Sequence, residues 1–127
     1  MIRILALAAA LALAASPALA HGTGQHKAHH GGQVVVAGHD HLELVAKEGE
    51  LTLYVRGEDD KPEAVKGATA NATVLVGGKQ TIVKLEPQEG NVLKGKGSFT
   101  VAKGMKVVVS LKLPDHKPVT ARFSPAD

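Results

Sequence analysis

Seven histidines supply the clearest chemistry in this 127-residue sequence, which contains no cysteine. The neutral imidazole ring is a ligand for divalent metals such as Zn(II) and Cu(II), so these side chains can bind an ion without thiolates. Binding should weaken below about pH 6, because the rings then become protonated. We take all seven as candidate metal ligands: His21, His26, His29, His30, His39, His41 and His116.

The first twenty residues have the pattern of a secretory signal peptide. Arg3 supplies a positive charge, residues 4–15 form an apolar run, and Ala18 and Ala20 place small side chains before a cut after Ala20. The apolar run is shorter than the ~20 residues that a membrane span requires. We therefore expect an exported, periplasmic protein that begins at His21 and has no membrane span in its mature chain.

A mature chain that begins at His21 offers two nitrogen ligands from one residue, the α-amine and ring Nδ1. Together with a second imidazole they can form a three-nitrogen site of the kind that Cu(II) prefers. The α-amine has an ordinary pKa near ~8, so a metal can displace its proton at neutral pH. The alternative is that cleavage merely falls at this histidine.

Residues 21–32 read HGTGQHKAHHGG and contain no large apolar side chain. Such a segment cannot bury enough surface to offset the entropy of ordering it, so the sequence predicts a flexible His-rich arm. His26, His29 and His30 are close enough to wrap around one ion, as His-rich tracts often do. The alternative is a solvated linker.

His39 and His41 flank Asp40 at the start of a predicted strand. Residues two apart in a strand point to the same face, so both rings can meet one ion while Asp40 faces the other way. Alternatively, His39 and Asp40 form a turn and His41 is an exposed strand residue. His116 lies in a Pro-bounded turn and becomes a candidate ligand only if folding brings it beside His39 and His41 or beside the arm.

Residues 33–127 consist of short apolar runs separated by Gly, Pro, Asp and Asn, which predicts an all-β domain. We expect a small antiparallel β-sandwich of about seven to eight strands, immunoglobulin-like or prealbumin-like. The turn that begins at Glu58-Asp59-Asp60 resembles turns of many such sandwiches. The predicted strands are Val34–Val36, His41–Ala46, Leu51–Arg56, Ala70–Val76, Gln80–Leu85, Gly97–Val101, Lys106–Leu113 and Val119–Phe123.

Alternation within these strands predicts which side chains form the core. Leu42 and Leu44 share one face of their strand, whereas His41 and Glu43 share the other. Val107, Val109, Leu111 and Leu113 alternate in the same way and are predicted core residues. Gly77-Gly78 predicts a two-residue hairpin turn.

The chain also resembles two groups of periplasmic proteins. The motifs H-G-G at residues 30–32, H-L-E-L-V at 41–45, L-T-L-Y-V at 51–55 and A-T-V-L-V-G-G-K at 72–79 are similar to the accessory N-terminal domain of CzcB-like heavy-metal efflux adaptors. That resemblance implies divalent-metal handling near an efflux pump, with His30 as the H-G-G histidine. A terminal histidine followed by a late Asp115-His116 resembles CopC-type copper carriers.

Composition and motifs exclude several other functions. A net charge of +3 with only three aromatic residues does not fit nucleic-acid binding. No phosphate-binding loop, G-x-S-x-G or H-E-x-x-H motif is present, and we expect no enzymatic activity. The sequence predicts a periplasmic buffer or chaperone for Cu(II) or Zn(II), with a periplasmic efflux adaptor as a partner. Two alternatives are an interaction module that docks through a sandwich edge and a copper oxidase-like site at His21.

Overall fold

The computed structural model describes residues 27–127 and confirms the all-β prediction with eight antiparallel strands. Among these residues, no helix is long and apolar enough to cross a membrane. The strands are β1 (Gln33–Ala37), β2 (Asp40–Lys47), β3 (Glu50–Arg56), β4 (Thr69–Val76), β5 (Lys79–Pro87), β6 (Val92–Lys96), β7 (Lys106–Lys112) and β8 (Val119–Phe123).

The eight strands form one continuous sheet that folds over on itself into a nearly closed sandwich. Their order is β1-β2-β3-β6-β5-β4-β7-β8, so the two terminal strands of the sheet are β1 and β8. These two strands lie side by side, and the Ser124 backbone N–H donates to the Gln33 side chain at 2.6 Å. Because the sheet nearly closes, the loops at each end gather into a compact rim.

The interior is filled by the apolar side chains that alternate along the strands, as predicted. Leu42 and Leu44 of β2 are fully buried, and they face Val55 and Leu53 of β3 across the strand pair. The predicted core residues of β7 and its following loop are also buried, with at most 2 % exposure: Val107, Val109, Leu111 and Leu113. Each buried aliphatic side chain contributes roughly 1.5–3 kcal/mol of transfer free energy.

The hairpin predicted at Gly77-Gly78 is confirmed. Val76 pairs with Lys79, so the two glycines form the whole turn, and their φ angles are 55° and 78°. Backbone angles of this kind are accessible to glycine at little steric cost, which explains the sequence at this turn.

The strand predicted at Gly97–Val101 is wrong, and the sixth strand is instead Val92–Lys96. Gly95 lies within the observed strand and interrupts its pattern of side chains, and Gly97 follows the strand directly. In the structure they allow β5 to cross closely over this segment: a Cβ at Gly95 would overlap the Lys84 carbonyl oxygen.

Candidate metal centre

One end of the sandwich carries a loop of four carboxylates that follows β3, and we name residues 57–63 the acidic loop. Two backbone hydrogen bonds shape it, from Gly57 N–H to the Lys61 carbonyl and from Asp60 N–H to the Gly57 carbonyl, both at 2.9 Å. The Arg56 guanidinium donates to the Asp60 carbonyl at 3.0 Å. These contacts hold Asp60 at φ 61°, a left-handed conformation that aspartate adopts more readily than most other non-glycine residues.

Three of the four carboxylates in the acidic loop contact histidines. The four histidines involved come from the N-terminal segment, from the β1–β2 region and from the β7–β8 loop, so they are distant in sequence. The contacts are Glu58–His39 at 3.6 Å, Asp60–His29 at 3.2 Å, Asp60–His41 at 3.4 Å and Glu63–His116 at 3.1 Å. The acidic loop is therefore the element that gathers most of the described histidines.

Asp40, Glu63 and His116 form the tightest group, which we name the end cluster. Each offers one ligand atom, and the three atoms lie within 4.8 Å of one another. Asp40 is the first residue of β2 and only 4 % exposed, because it lies on the same face of the strand as the core residue Leu42. A shallow cleft bordered by the three side chains and by His39 opens this cluster to solvent.

The surroundings of Glu63 in the end cluster disfavour its ionised form. Burial raises the pKa of Glu63, and the hydrogen bond and negative charge of Asp40 raise it further, while His116 opposes the shift. Two carboxyl groups in contact disfavour double ionisation, because like charges repel most strongly away from water. A divalent ion between them would remove this penalty.

Asp60 connects a second pair of histidines, and we name Asp60, His29 and His41 the bridge cluster. Oδ2 of Asp60 contacts Nε2 of His29, and Oδ1 contacts Nδ1 of His41. The hydrogen bond with His29, followed by that with His41, holds the pKa of Asp60 below its ordinary value. His41 is 8 % exposed, so one side of this cluster lies against the sandwich.

Glu43 fixes the N-terminal segment, residues 27–32, beside these clusters. Its carboxylate accepts backbone N–H groups from His29 at 3.0 Å, His30 at 2.8 Å and Gly32 at 2.8 Å. Burial pushes the pKa of Glu43 upward, but these three donors and the His30 ring outweigh it and lower the pKa overall. His30 also stacks on Tyr54, so the segment covers the outer face of β2 and β3.

These contacts define where the sequence-predicted ligands lie. His29 and His30 belonged to the predicted flexible arm, but their backbone is hydrogen-bonded to Glu43. His39 and His41 contact different carboxylates, and the side chain of His39 is 86 % exposed. His116 lies beside Asp40, which separates those two histidines in sequence. His21, His26 and the signal peptide predicted over residues 1–20 lie outside the described residues.

Sequence reasoning missed the carboxylates. The sequence predicts an ordinary turn for Glu58 and Asp60 and an outward strand face for Glu43, and none of the three as a partner of a histidine. One local signal was present: alternation places Asp40 on the same side as Leu42, and a carboxylate on a core-facing position is costly unless it has partners. No local pattern indicates that Glu63 and His116 are those partners.

Comparisons with known proteins give no further assignment. No known protein family, no curated protein and no solved structure matches this chain. The candidate function therefore depends on the site itself and on the sequence patterns described above.

Proposed function

We propose that this chain is a metal-binding protein that takes one divalent ion at Asp40, Glu63 and His116. The observation that carries the proposal is the convergence of their three ligand atoms within 4.8 Å. Zinc–nitrogen and zinc–oxygen bonds of about 2.0 Å place tetrahedral ligands roughly 3.3 Å apart. Small side-chain rotations would bring the end cluster to that separation.

The ligand set favours Zn(II) over Cu(II) at this position. One imidazole and two carboxylates suit Zn(II), which binds nitrogen and oxygen ligands without a strong geometric preference. Cu(II) favours tetragonal sites, and the predicted three-nitrogen chelate at His21 would suit it better. Three protein ligands also leave a fourth zinc position for water or for another ligand.

The proposed role is that of a buffer or chaperone for the ion in the periplasm. The location comes from the predicted signal peptide, and the link to heavy-metal efflux comes from the resemblance to CzcB-like adaptor domains. A periplasmic adaptor is accordingly the proposed protein partner. The open cleft beside the end cluster supports exchange of an ion with such a partner, because a carrier site must remain accessible.

Calorimetric titration with Zn(II) and Cu(II) at pH 7.5 tests the proposal. The protein would carry His21→Ala and His26→Ala, so that the binding measured comes from the described residues. We expect His116→Ala to weaken Zn(II) binding by about tenfold or more, since a ligand should matter at least as much as an outer-shell residue. His39→Ala is the matched control, because His39 is an exposed histidine on the same cleft.

Two results would contradict the proposal. Equal Zn(II) affinities for the His116→Ala and His39→Ala proteins would remove His116 from the site. A protein that binds neither ion more tightly than about millimolar would favour the alternative function, an interaction module. Ile82 of β5, whose surface is 69 % exposed, would then be the first residue to test for contact with a partner.

A further inference from the structure

The sandwich has one covered face and one exposed face. The N-terminal segment covers the outer face of β2 and β3, where His30 stacks on Tyr54. On β4, β5, β7 and β8, the side chains that alternate with the core residues are almost all exposed. We name this outer surface of the four strands the basic face, because of the charges that it carries.

Cations outnumber carboxylates on the basic face. The charged side chains at its outward positions are Lys84, Lys106, Lys112, Arg122 and Glu86. Glu86 and the nearby Asp127 lie 3.7 Å and 3.2 Å from two of the lysine ammonium groups, in pairs that are exposed to solvent. Within the described part of the chain, Lys112 and Arg122 pair with no carboxylate. Four cations therefore face two carboxylates, and the surface keeps an excess of positive charge.

Aliphatic side chains lie among these cations. Ile82 is 69 % exposed and Leu75 is 44 % exposed, which makes them two of the three large apolar residues exposed within residues 27–127. Ile82 of β5 and Val108 of β7 lie on either side of Thr73, and Leu75 is diagonal to Ile82. A contiguous apolar patch with polar residues around it is typical of an interaction site.

A hollow on the basic face suits a phosphate group. Lys84, Asn71 and Ser110 form one row across β5, β4 and β7, because Asn71 pairs with both of the others. These three side chains and Lys112 line a cavity of about 660 Å³. Ammonium, amide and hydroxyl groups all donate hydrogen bonds to phosphate oxygens, and the ammonium donors are the strongest.

The composition of the basic face favours anionic lipid over a protein as its occupant. A second copy stacked face to face is excluded, because like charges would oppose one another. Protein–protein interfaces are depleted in lysine and depend on Trp, Tyr and Arg, whereas three of the four cations here are lysines and no outward side chain is aromatic. Lysines beside exposed aliphatic side chains are typical of proteins that attach to an anionic bilayer.

We propose that the basic face binds the surface of bilayers that contain anionic phospholipid. The cations would contact lipid phosphates, and Ile82 and Leu75 would contact the outer part of the acyl layer. Attachment would be reversible, because so few charged and apolar side chains bind far more weakly than an inserted helix. The inference goes beyond the proposed metal-binding function and does not depend on it, since none of Asp40, Glu63 and His116 lies in these four strands.

Co-sedimentation with sucrose-loaded vesicles tests the proposal. The chain without its predicted signal peptide is used with a chelator, so that no divalent ion joins protein to lipid. We expect retention by vesicles of equal parts phosphatidylglycerol and phosphatidylcholine, and none by phosphatidylcholine alone. Retention should disappear near 1 M salt, where the Debye length falls to about 3 Å. Equal retention by the two kinds of vesicle, or retention by neither, would overturn the proposal.

Lys84→Gln combined with Arg122→Gln is the decisive variant. It removes two charges from the basic face, and we expect the affinity for anionic vesicles to fall by about tenfold or more, since each cation near a bilayer contributes roughly fivefold. Lys47→Gln combined with Lys61→Gln is the matched control, because it removes the same charge from exposed residues at the end of β2 and in the acidic loop. Equal losses would show that binding follows net charge alone and would refute the basic face.

A lipid with a spin-labelled headgroup locates the contact. In ¹H–¹⁵N spectra with bicelles of the same lipids, amide signals of β4, β5 and β7 should weaken before those of β2 and β3. The opposite order would place the lipid on another face and would overturn the proposal. If no vesicle retains the protein, the proposal fails and an acidic folded protein becomes the partner that the charge favours. The Zn(II) titrations of the end cluster are unaffected by either result, so the two proposals fail separately.

Discussion

The imidazole of His30 stacks on the phenol ring of Tyr54, with ring centroids 3.6 Å apart and planes inclined by 3°. Tyr54 is the sole tyrosine, and the sequence has no tryptophan. The fluorescence of the protein therefore comes from Tyr54 and reports on the docking of the N-terminal segment that carries His30. The stack joins that segment to β3, and Glu43 next to it fixes the backbone of the same residues.

We expect His30→Ala to raise the tyrosine emission, because quenching by the stacked imidazole is lost. The loss of stability should be small, about 0.5–1.5 kcal/mol, the usual value of an aromatic pair. Steady-state fluorescence and far-UV circular dichroism check this prediction. His39→Ala serves as the control, since His39 is exposed and contacts Glu58. Identical emission from both variants would show that the stack is absent in solution.

Glu43→Gln should destabilise the protein at pH 7 by roughly 1–3 kcal/mol, because an amide replaces a carboxylate that accepts three backbone N–H groups. The folded pKa of Glu43 lies below its ordinary value of 4.5. The contribution of the ionised group is therefore complete above that value and is lost as the pH falls through the folded pKa. Denaturant unfolding of both proteins at pH 7 and pH 3 measures the difference.

The two unfolding curves should approach each other at the lower pH. Glu89→Gln, an exposed carboxylate in the turn before β6, is the control and should match the unsubstituted protein at both pH values within about 0.5 kcal/mol. A difference for Glu43→Gln that is independent of pH would mean that the shape of the side chain, and not its charge, holds the N-terminal segment.

Glu63→Gln should have opposite effects on folding and on metal binding. The pKa of Glu63 is raised in the folded protein, so its ionisation lowers stability as the pH rises above the ordinary carboxyl range. The neutral amide can donate a hydrogen bond to Asp40. We therefore expect the free energy of unfolding of the metal-free protein to rise by up to about 1 kcal/mol at pH 7. Zn(II) affinity should fall, because one anionic ligand is lost.

Thermal unfolding with a chelator and with excess Zn(II) checks both parts of this prediction. Zn(II) should raise the midpoint of thermal unfolding more for the unsubstituted protein than for Glu63→Gln, because an ion that binds more tightly stabilises the folded state more. Equal gains would argue against Glu63 as a ligand. Glu58→Gln is the control, since Glu58 is an exposed carboxylate that borders the same cleft.

Gly95→Ala should be among the most damaging single substitutions in the fold. A methyl group there would overlap the Lys84 carbonyl oxygen and would come within 2.7 Å of Val83 Cγ1, so β5 and β6 would have to separate. We expect the free energy of unfolding to fall by about 3 kcal/mol, which is in the range measured when extra methyl groups are inserted into a packed core. Gly90→Ala is the comparison, because Gly90 has φ 69° but open space around it. This substitution should lower the free energy of unfolding by only about 1 kcal/mol.

Urea unfolding of the two variants distinguishes steric overlap from backbone strain. Similar losses in free energy of unfolding for both variants would show that β5 and β6 can move apart locally. The close approach of the two strands would then contribute little to the effect of the substitution. Failure of Gly95→Ala to express in folded form, with Gly90→Ala folded normally, would agree with the prediction.

Local patterns in the sequence were enough to predict seven of the eight strands and most of the apolar core. Alternation of apolar and polar residues is a property of each strand by itself, so the buried leucines of β2 and the core residues of β7 follow directly from the sequence. Alternation does not predict the burial of His41 and Glu43 on the other face of β2, because the segment that covers that face comes from elsewhere in the chain. The same rule failed at β6, where Gly95 weakens the strand pattern. The reason for that glycine lies in β5, which crosses it closely in space.

The sequence also identifies the histidines as candidate metal ligands, because the residue type alone determines what a side chain can bind. Their carboxylate partners depend on the tertiary structure. Asp40 and His116 are 76 positions apart, and only the nearly closed sheet brings their loops to one end of the sandwich. Strand register and sheet closure are cooperative properties of the whole chain, so no local spacing contains them.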